Sequence, residues 1–526
     1  MTSEHHLATG VHPTAMRQRV GRARAALSRT LVLAMALVAA ACDSRSPATS
    51  AGRADLPVGE LGDAALMSDG RLVTAGHTGV DGSRNLVVLA FDETGVPRWL
   101  QQESTDPTTD ARAEAVAVDA VDRVVVVGNV LAANGSRGVV YGYDADGGRL
   151  WRIEPWPEHS SELYALAVDG ESAYVTGFAR AEERASDQFV PPTQGLLVAR
   201  IDTRSGALAW RDVALLTPDP LRISAGLSIA AHPSGRVGVA GVIGFPDSSV
   251  AWFSGCWAAD GERLWQDVRA GDEHPRAPSA ESGQIDVARE AAFDEEGNLY
   301  VVGDLAGSGV DGDLTLVKLG VDGREEWLFR RDEVLPDGMQ SFDEGDALAV
   351  DADGVFLAGG TAQVVDGYVE AEGLTASLDS RGALRWFAPL SSPSLSGEMV
   401  SDLAVGPQGS VVYGGSDSVG VALETLVVER VDRGGRPLWT THLESDRAGS
   451  GTEGRVERIR VGVAGEVFAV GYDRSSPEAL AEPLALRLDP DTGAAAWTYP
   501  PGLAARLTFQ RAAPEQSPAL GGDVPP

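Results

Sequence analysis

Short apolar runs separated by Asp/Gly turns recur along most of the chain. Examples are AVAVDAVDRVVVVG, ALAVDGESAYVTG and AAFDEEGNLYVVG. Each places Val, Ala, Leu or Tyr on both sides of a turn that contains Asp or Gly, a pattern typical of a β-hairpin. No helical periodicity interrupts this pattern between Leu61 and Trp497. The chain is therefore predicted to be all-β.

A tryptophan motif sets the length of the repeat. An Asp, a short gap, a Gly and then a Trp recur eight times, at spacings of 52 to 62 residues. The eight tryptophans are Trp99, Trp151, Trp210, Trp265, Trp327, Trp386, Trp439 and Trp497. The stretch before each one, such as LLVARIDTRSGALAW, is a second hairpin, so one repeat contains four strands.

Radial repetition of four-stranded units is the architecture of a β-propeller. We therefore predict a single eight-bladed β-propeller of four-stranded antiparallel blades over residues 59–500, followed by a C-terminal tail at 501–526. A solenoid is the structural alternative, but repeats of this length with a fixed tryptophan fit a blade better.

The tryptophan motif resembles the docking motif of quinoprotein-type (PQQ-like) propellers, most clearly at Asp489–Trp497 and Asp202–Trp210. The resemblance implies that the Gly turns the chain and that the indole packs between neighbouring blades with its N–H bonded to backbone. It does not extend to quinone binding, because no motif matches the carboxylates, amides and adjacent cysteines found under that cofactor. In architecture alone, the chain also resembles the eight-bladed lipoprotein of the outer-membrane barrel-assembly machinery, which is a scaffold.

The N-terminus has the pattern of an export signal. Five arginines precede the apolar run Leu31–Ala41, which is too short to span a bilayer. The run ends in Ala-Ala-Ala-Cys, which resembles the lipobox of bacterial lipoproteins except that Ala39 stands where Leu is usual. We predict a signal peptide at 1–41 and a lipidated Cys42, followed by a flexible linker to residue 58. The alternative is an ordinary signal peptide with a chance cysteine. The lipoprotein reading predicts an exported, membrane-anchored protein that is periplasmic or at the outer membrane or cell surface.

Charge narrows the range of partners. The chain has 76 acidic residues and 43 Lys+Arg, giving a formal net charge of −33. A nucleic-acid binder needs a cationic face for the phosphates, so this balance argues against one.

The sequence offers little catalytic or metal-binding chemistry. The histidines lack zinc-site spacing, and Cys256 lies in a strand-like apolar run where a buried, unreactive thiol is expected. No cofactor is predicted. Asp-rich turns such as Asp144–Gly147 leave calcium as a minor alternative, although Asp and Gly are also what tight turns require.

Carboxylates recur near the start of the first strand of several repeats. They are Asp63, Glu114, Glu290, Asp346, Asp402 and Glu457. Because this strand lines the channel of a propeller, the six are candidates for an acidic ring at one channel mouth, which would attract cations or basic groups. The alternative is that each one only solvates the loop that enters its blade.

The two faces of the predicted ring differ in their connections. Turns within the hairpins are tight, whereas the other connections are long, for example 178–194, 268–285 and 329–345. Binding residues concentrate on long loops of rigid scaffolds, so the partner is expected on the long-loop face. One of these connections carries Asp332, Glu333, Asp337, Asp343 and Glu344. This favours an envelope protein or a cationic ligand.

Two hypotheses of function follow. The favoured one is a non-catalytic, lipid-anchored binding or scaffold propeller at the bacterial cell envelope. The alternative is an exported propeller enzyme, either a quinone-type oxidoreductase or a hydrolase or lyase.

Overall fold

The computed structural model describes most of residues 59–511, in segments separated by short gaps. The described segments are 59–79, 83–103, 110–132, 135–180, 194–214, 224–244, 250–270, 286–306, 312–331, 342–365, 368–389, 398–418, 424–443, 453–474 and 481–511. The predicted signal peptide, Cys42 and the linker lie outside these residues. Within them, no helix is both long and apolar enough to cross a membrane.

Two compact units are distinguished in the chain. One comprises Ser50–Gln363 and Val369–Pro526, and it contains nearly all of the described strands. The other comprises Met1–Thr49 and Val364–Tyr368, of which the described part is the end of one strand and the start of the next.

The first sixteen strands form four consecutive blades. Blade 1 contains β1 (Gly59–Leu66), β2 (Leu72–Thr78), β3 (Asn85–Phe91) and β4 (Pro97–Glu103). Blade 2 contains β5 (Asp110–Val118), β6 (Val124–Ala132), β7 (Gly135–Tyr143) and β8 (Arg149–Ile153). Blade 3 contains β9 (Ser161–Asp169), β10 (Ser172–Arg180), β11 (Gln194–Asp202) and β12 (Leu208–Ala214). Blade 4 contains β13 (Ser224–Ala231), β14 (Val237–Gly244), β15 (Val250–Trp257) and β16 (Arg263–Arg269).

The next sixteen strands repeat the arrangement. Blade 5 contains β17 (Val287–Phe293), β18 (Leu299–Ala306), β19 (Gly312–Leu319) and β20 (Glu325–Arg331). Blade 6 contains β21 (Phe342–Asp351), β22 (Gly354–Val365), β23 (Tyr368–Asp379) and β24 (Leu384–Pro389). Blade 7 contains β25 (Glu398–Val405), β26 (Val411–Ser418), β27 (Glu424–Val431) and β28 (Pro437–Leu443). Blade 8 contains β29 (Glu453–Val461), β30 (Val467–Arg474), β31 (Glu482–Leu488) and β32 (Ala495–Tyr499).

Each blade is an antiparallel meander, and we call its strands A to D in chain order. The A strands contact one another in sequence around the ring, and β29 of blade 8 contacts β1 of blade 1. The A strands therefore surround the centre, and the ring closes between two complete blades without a shared strand. The prediction of an eight-bladed β-propeller with four-stranded antiparallel blades is confirmed.

The middle strands form the core because each blade packs between two others. Most side chains of the B and C strands are buried on both faces, as along β10 and β15. The D strands instead alternate between half-buried and exposed positions, as in β16. This difference explains the near-continuous apolar runs of the inner strands in the sequence.

The A–B and C–D turns are tight for a local reason. In the turn that follows β3, the Asp92 carboxylate accepts hydrogen bonds from the backbone N–H groups of Thr94 and Val96, both at 3.0 Å. Gly95 then takes a φ of 80°, which residues with a side chain rarely adopt. All A–B and C–D turns lie on one face, which we call the tight-turn face. The B and D strands end at the other face, which we call the long-loop face.

The chain continues past the last blade into a strand that the sequence analysis did not identify. A 3-10 helix, Pro501–Arg506, leads to β33 (Leu507–Arg511), which pairs antiparallel with β28 at the outer edge of blade 7. Leu503 is 4% exposed and packs in the apolar core shared by blades 7 and 8. The C-terminal segment thus ties the last blade to the one before it.

The covered edge differs from the other outer edges. Six of the eight D strands carry at least one arginine, and β32 is a short strand followed at once by Pro500. Charged side chains, short strands and proline are the usual protections of a sheet edge against pairing with another chain. β28 (Pro437–Leu443) has seven residues and no Arg, Lys, Asp or Glu, and it is the D strand that β33 covers.

Ending the chain at Pro500 should therefore lower the thermal midpoint and cause self-association that depends on protein concentration. It removes the Leu503 contact and leaves the β28 edge open. Light scattering coupled to size exclusion measures the association. Adding Thr440→Lys to the shortened chain should suppress the association by placing a charge on this edge, without restoring the midpoint. A shortened chain that stays monomeric at all concentrations would show that the edge needs no cover.

Candidate functional site: the seams between blades and the channel they enclose

The docking tryptophans occupy one equivalent position in every blade. Seven of them donate their indole N–H to a carbonyl of the C–D turn in the next blade. The acceptors, in order from Trp99 to Trp439, are the carbonyls of Ala145, Thr203, Ala259, Val321, Ser380, Arg433 and Pro490, at 2.8–3.2 Å. Trp386, Trp439 and Trp497 are buried, and the other five indoles are half-buried.

A glycine of the next blade lies against the face of each indole. At Gly435, a Cβ atom would come within 2.6 Å of the Trp386 ring, and at Gly95 within 2.5 Å of Trp497. Both glycines also have a positive φ, 79° and 80°. The glycine of the motif is thus required twice, by the turn in its own blade and by the indole that packs on it.

Ring closure uses the same contact with one difference. Trp497 packs on Gly95 and stacks on Phe91 with ring centroids 5.6 Å apart. Its buried Nε1 has no hydrogen-bond partner. The equivalent carbonyl, that of Glu93, instead accepts a hydrogen bond from Nη1 of Arg487 at 3.2 Å. The tryptophan contact between blades 8 and 1 therefore consists of packing alone, whereas the tryptophan of each other seam adds a hydrogen bond.

Replacement of two docking tryptophans by phenylalanine separates these contributions. Trp439→Phe should destabilise the ring by about 1–2 kcal/mol more than Trp497→Phe, because only the former loses a buried hydrogen bond. Both parent indoles are almost fully buried, at 0% and 8% exposure, so the loss of packing is comparable. Denaturant unfolding of the two variants measures the difference. Equal destabilisation would mean that the N–H contributes nothing.

The six candidate channel acids fall into two sets. Every A strand carries a β-bulge at an equivalent place. Glu114, Asp346 and Glu457 are the extra, unpaired residues of their bulges. The other three, Asp63, Glu290 and Asp402, stand one position later in the strand.

The acids of the second set link each blade to the next. Each one accepts a hydrogen bond from a backbone N–H of the following A strand. The pairs are Asp63 with Val116 at 2.8 Å, Glu290 with Leu348 at 2.7 Å and Asp402 with Ile459 at 2.7 Å. In blade 4 the equivalent residue is Ser228, whose hydroxyl accepts from the Ala291 N–H at 3.2 Å. These side chains therefore have a structural role in the ring.

Two arginines of blade 8 bring acids from different blades together. Arg458 and Arg460 contact Asp63 of blade 1 at 3.1 and 3.0 Å, and Asp402 of blade 7 at 3.8 and 3.2 Å. Although burial opposes the charge of Arg458, Asp402, Asp63 and Glu290 hold its pKa above the ordinary value. Sequence reasoning counted only the acids and missed these arginines, which alternate along β29.

Glu290 faces this group from blade 5. Burial, together with the negative charge of Asp402, raises the pKa of Glu290 to about 7, against an ordinary value of 4.5. Arg458 and Arg460 of blade 8 and the hydrogen bond from the Leu348 N–H act on this pKa in the opposite direction.

A second arginine gathers three carboxylates at the seam between blades 5 and 6. Arg289 contacts Asp304 at 2.8 Å, Glu344 at 3.1 Å and Asp346 at 3.6 Å. Burial raises the pKa of Asp304 to about 7 and that of Asp346 to about 6, although Arg289 acts in the opposite direction on both. Asp304 was not among the predicted residues, because it lies on a B strand.

The remaining two channel acids have partners of their own. Glu114 pairs with Arg112 and accepts a hydrogen bond from Asn129 at 3.0 Å, and burial raises the pKa of Glu114. Glu457 lies 3.6 Å from Arg455. Five of the six acids thus belong to ion-pair groups that include five arginines, and Glu290 accepts the Leu348 N–H, so the acids do not form a continuous acidic ring.

The Asp-rich turns considered for calcium and the thiol expected to be buried can also be located. In the Asp-rich turn of blade 2, the Asp144 carboxylate accepts N–H groups of Asp146 and Gly148 at 3.0 and 2.7 Å, which is turn chemistry. Among the described residues, no group of three or more His, Cys, Asp or Glu is placed to hold a metal ion. Cys256 is buried, and burial raises the pKa of its thiol to about 11.

The acids expected on the connection between blades 5 and 6 are only partly within the described residues. Asp332, Glu333 and Asp337 lie outside them. Asp343 is fully buried at the start of β21, and Glu344 contacts Arg289. Of the acids in the described part of this connection, Glu344 therefore faces the seam between blades 5 and 6.

Comparison with known proteins gives the fold and little more. No protein-family model matches the chain, and no curated protein matches it. A structure of Sqt1 from Chaetomium thermophilum is similar, with a TM-score of 0.50 and 16% identity, over 79% of this chain and 94% of that one. Sqt1 bound to the N-terminus of the ribosomal protein L10 gives a TM-score of 0.48 at 15% identity, over 79% and 94% of the two chains. BamB from Moraxella catarrhalis gives a TM-score of 0.36 at 13% identity, over 67% and 82%. At these identities the likeness supports a β-propeller and nothing finer.

Proposed function

We propose that this protein is a non-catalytic binding or scaffold propeller, exported and anchored by a lipid on Cys42 at the bacterial cell envelope. We further propose that it binds an envelope protein or a cationic ligand on its long-loop face. The observation that carries the proposal is the difference in length and regularity between the connections at the two faces of the ring. Every A–B and C–D turn is short and fixed by its own hydrogen bonds, whereas the other connections vary widely in length.

The described polar side chains of the channel support a scaffold role. Asp63, Glu290 and Asp402 hold neighbouring blades together through backbone N–H groups, and the arginines near them are engaged in ion pairs. These groups stabilise the ring itself. A rigid ring of this kind presents variable loops at fixed positions, which is how loop-based binding surfaces are built.

Charge favours a basic partner on the long-loop face. The connections between B and C strands and between successive blades contain 18 acidic residues and four basic ones, counted over the gaps between the described segments. A surface with this excess attracts cationic groups and does so less strongly as salt rises.

A cationic peptide tests which face binds. We expect an octa-arginine peptide to bind the full chain, and to bind several-fold more weakly after neutralisation of five long-loop acids. These are Glu182, Glu183, Asp332, Glu333 and Asp337, changed to the matching amides. The control neutralises five exposed acids of the tight-turn face: Glu93, Asp146, Glu295, Glu296 and Asp491. Fluorescence anisotropy at low and moderate salt measures binding. If both variants lose affinity equally, net charge alone explains the binding and the assignment of the face is wrong.

A cysteine variant tests the anchor separately. Cys42→Ser should move the protein from the membrane fraction to the soluble fraction while leaving its thermal midpoint unchanged, because the described fold begins at Gly59. Fractionation in high salt distinguishes a lipid anchor from ionic adsorption. Cys256→Ser is the matched control and should not change fractionation. A Cys42→Ser protein that still pellets with membranes in high salt contradicts the proposed anchor.

A further inference from the structure

The seam between blades 5 and 6 holds more carboxylates than its cations can neutralise. Arg289 is the bulge residue of β17 in blade 5. Its side chain contacts Glu344 and Asp346 of blade 6, and it also contacts Asp304 of blade 5. Asp304 is 5% exposed, and Asp346 is half-buried. Three carboxylates therefore share one guanidinium in a confined space, which leaves excess negative charge when all three are ionised.

Charged groups around this cluster do not restore the balance. Those on the elements packed near it are Glu290 on β17 with Asp286 just before it, Asp313 on β19, Asp343 on β21, Asp402 on β25 and Arg455, Glu457, Arg458 and Arg460 on β29. Arg330 of β20 pairs with Asp313 at 2.6 Å. Arg458 and Arg460 are already bound to Asp63 and Asp402. Arg455 favours the ionised form of Asp346, but it also lies 3.6 Å from Glu457. No histidine takes part in this described cluster.

The seam between blades 8 and 1 has the opposite composition. Four arginines of blade 8 contact blade 1: Arg458, Arg460, Arg474 and Arg487. Their partners in blade 1 are the carboxylates of Asp63 and Glu60 and the carbonyl of Glu93. Ionised carboxylates strengthen this seam, whereas at the seam between blades 5 and 6 they repel one another.

We propose that the seam between blades 5 and 6 is a pH-responsive joint of the ring, which takes up protons and tightens in a mildly acidic medium and loosens as the medium becomes alkaline. Protonation of one carboxylate removes a repulsion in the cluster. It also supplies an O–H that can donate to a neighbouring carboxylate oxygen. This inference does not depend on the proposed binding role or on the location of the protein.

Proton linkage gives the direction in which the stability of the ring changes with pH. The pKa values of Asp304 and Asp346, about 7 and about 6, lie above the ordinary value of 3.8, so the folded ring binds protons that the unfolded chain has already lost. The resulting stabilisation is fully present below about pH 4 and is lost as the pH rises through 6 to 7. Glu290, whose pKa is raised to about 7, likewise makes this seam more stable at low pH than at high pH. Most carboxylates in ion pairs have a lowered pKa, so their contribution to stability is instead lost as the pH falls.

Asp346→Asn is the primary test. The change removes one negative charge and no hydrogen bond to Arg289, because the contact is 3.6 Å long. We expect it to raise the thermal midpoint at pH 8 by roughly 2 °C and to leave the midpoint at pH 5 nearly unchanged. Asp304→Asn, which keeps an acceptor oxygen for Arg289, should do the same and serves if the first variant fails to fold.

Asp110→Asn is the matched control. Asp110 is a buried carboxylate at the seam between blades 1 and 2, where Arg84 donates to both of its oxygens at 2.5–3.1 Å. Burial alone would raise its pKa, but the hydrogen bonds from Arg84 lower it. This substitution should lower the midpoint at pH 8, since it weakens a pair that is stable when ionised.

Hydrogen exchange locates the effect. After correction for the intrinsic pH dependence of exchange, amides of β17 and β21 in the unmodified protein should exchange several-fold more slowly at pH 5.5 than at pH 8. Amides of β29 and β1 should not gain protection. The proposal is overturned if Asp346→Asn and Asp304→Asn lower the midpoint at pH 8 as Asp110→Asn does, or if the change in exchange is uniform around the ring.

Discussion

The ring depends on one repeated contact, in which a tryptophan of each blade packs on a glycine turn of the next. A single blade is a four-stranded sheet with two apolar faces and cannot bury both of them alone. The indole covers part of that surface, and in seven seams its N–H donates to a carbonyl of the C–D turn in the next blade. The glycine is the other half of the contact, because a Cβ atom would overlap the indole ring. Stability is therefore distributed over eight similar seams.

Polar links near the channel reinforce these apolar contacts unevenly. Asp63, Glu290 and Asp402 use the same geometry, a carboxylate placed after the bulge that accepts an N–H of the next blade. What surrounds each of them differs. Asp63 and Asp402 share two arginines of blade 8, which closes the ring where Trp497 lacks a hydrogen bond. Glu290 lies at a seam where carboxylates outnumber arginines. Asp63, Asp402 and Glu290 thus occupy equivalent positions of the repeat, but their contributions to stability depend on pH in different ways.

The outer rim shows how the outer edges of the repeated sheets are protected against pairing with another chain. Among the described strands, the D strands of the other seven blades have an outer edge without a neighbour, and arginines on six of them disfavour pairing with another chain. In blade 7, β33 pairs with the outer strand β28 and covers its edge. The segment before this strand places Leu503 in the apolar core shared by blades 7 and 8, so one segment both covers an edge and fastens the final blade.

The sequence by itself determined the class and number of repeats. Period-two runs around Asp/Gly turns define hairpins locally, and the spacing from Trp99 to Trp497 counts the blades, because both signals depend on neighbouring residues in the chain. The channel groups could not be obtained in this way. Glu114 is the bulge residue of its strand and Asp63 stands one position after the bulge of its own, and only the strand pairing shows this difference. Arg289 meets Glu344 and Asp346 only because the ring places successive A strands side by side. Likewise, β33 carries a weak pattern of its own, and its partner lies a full blade away, so only the tertiary structure decides its place.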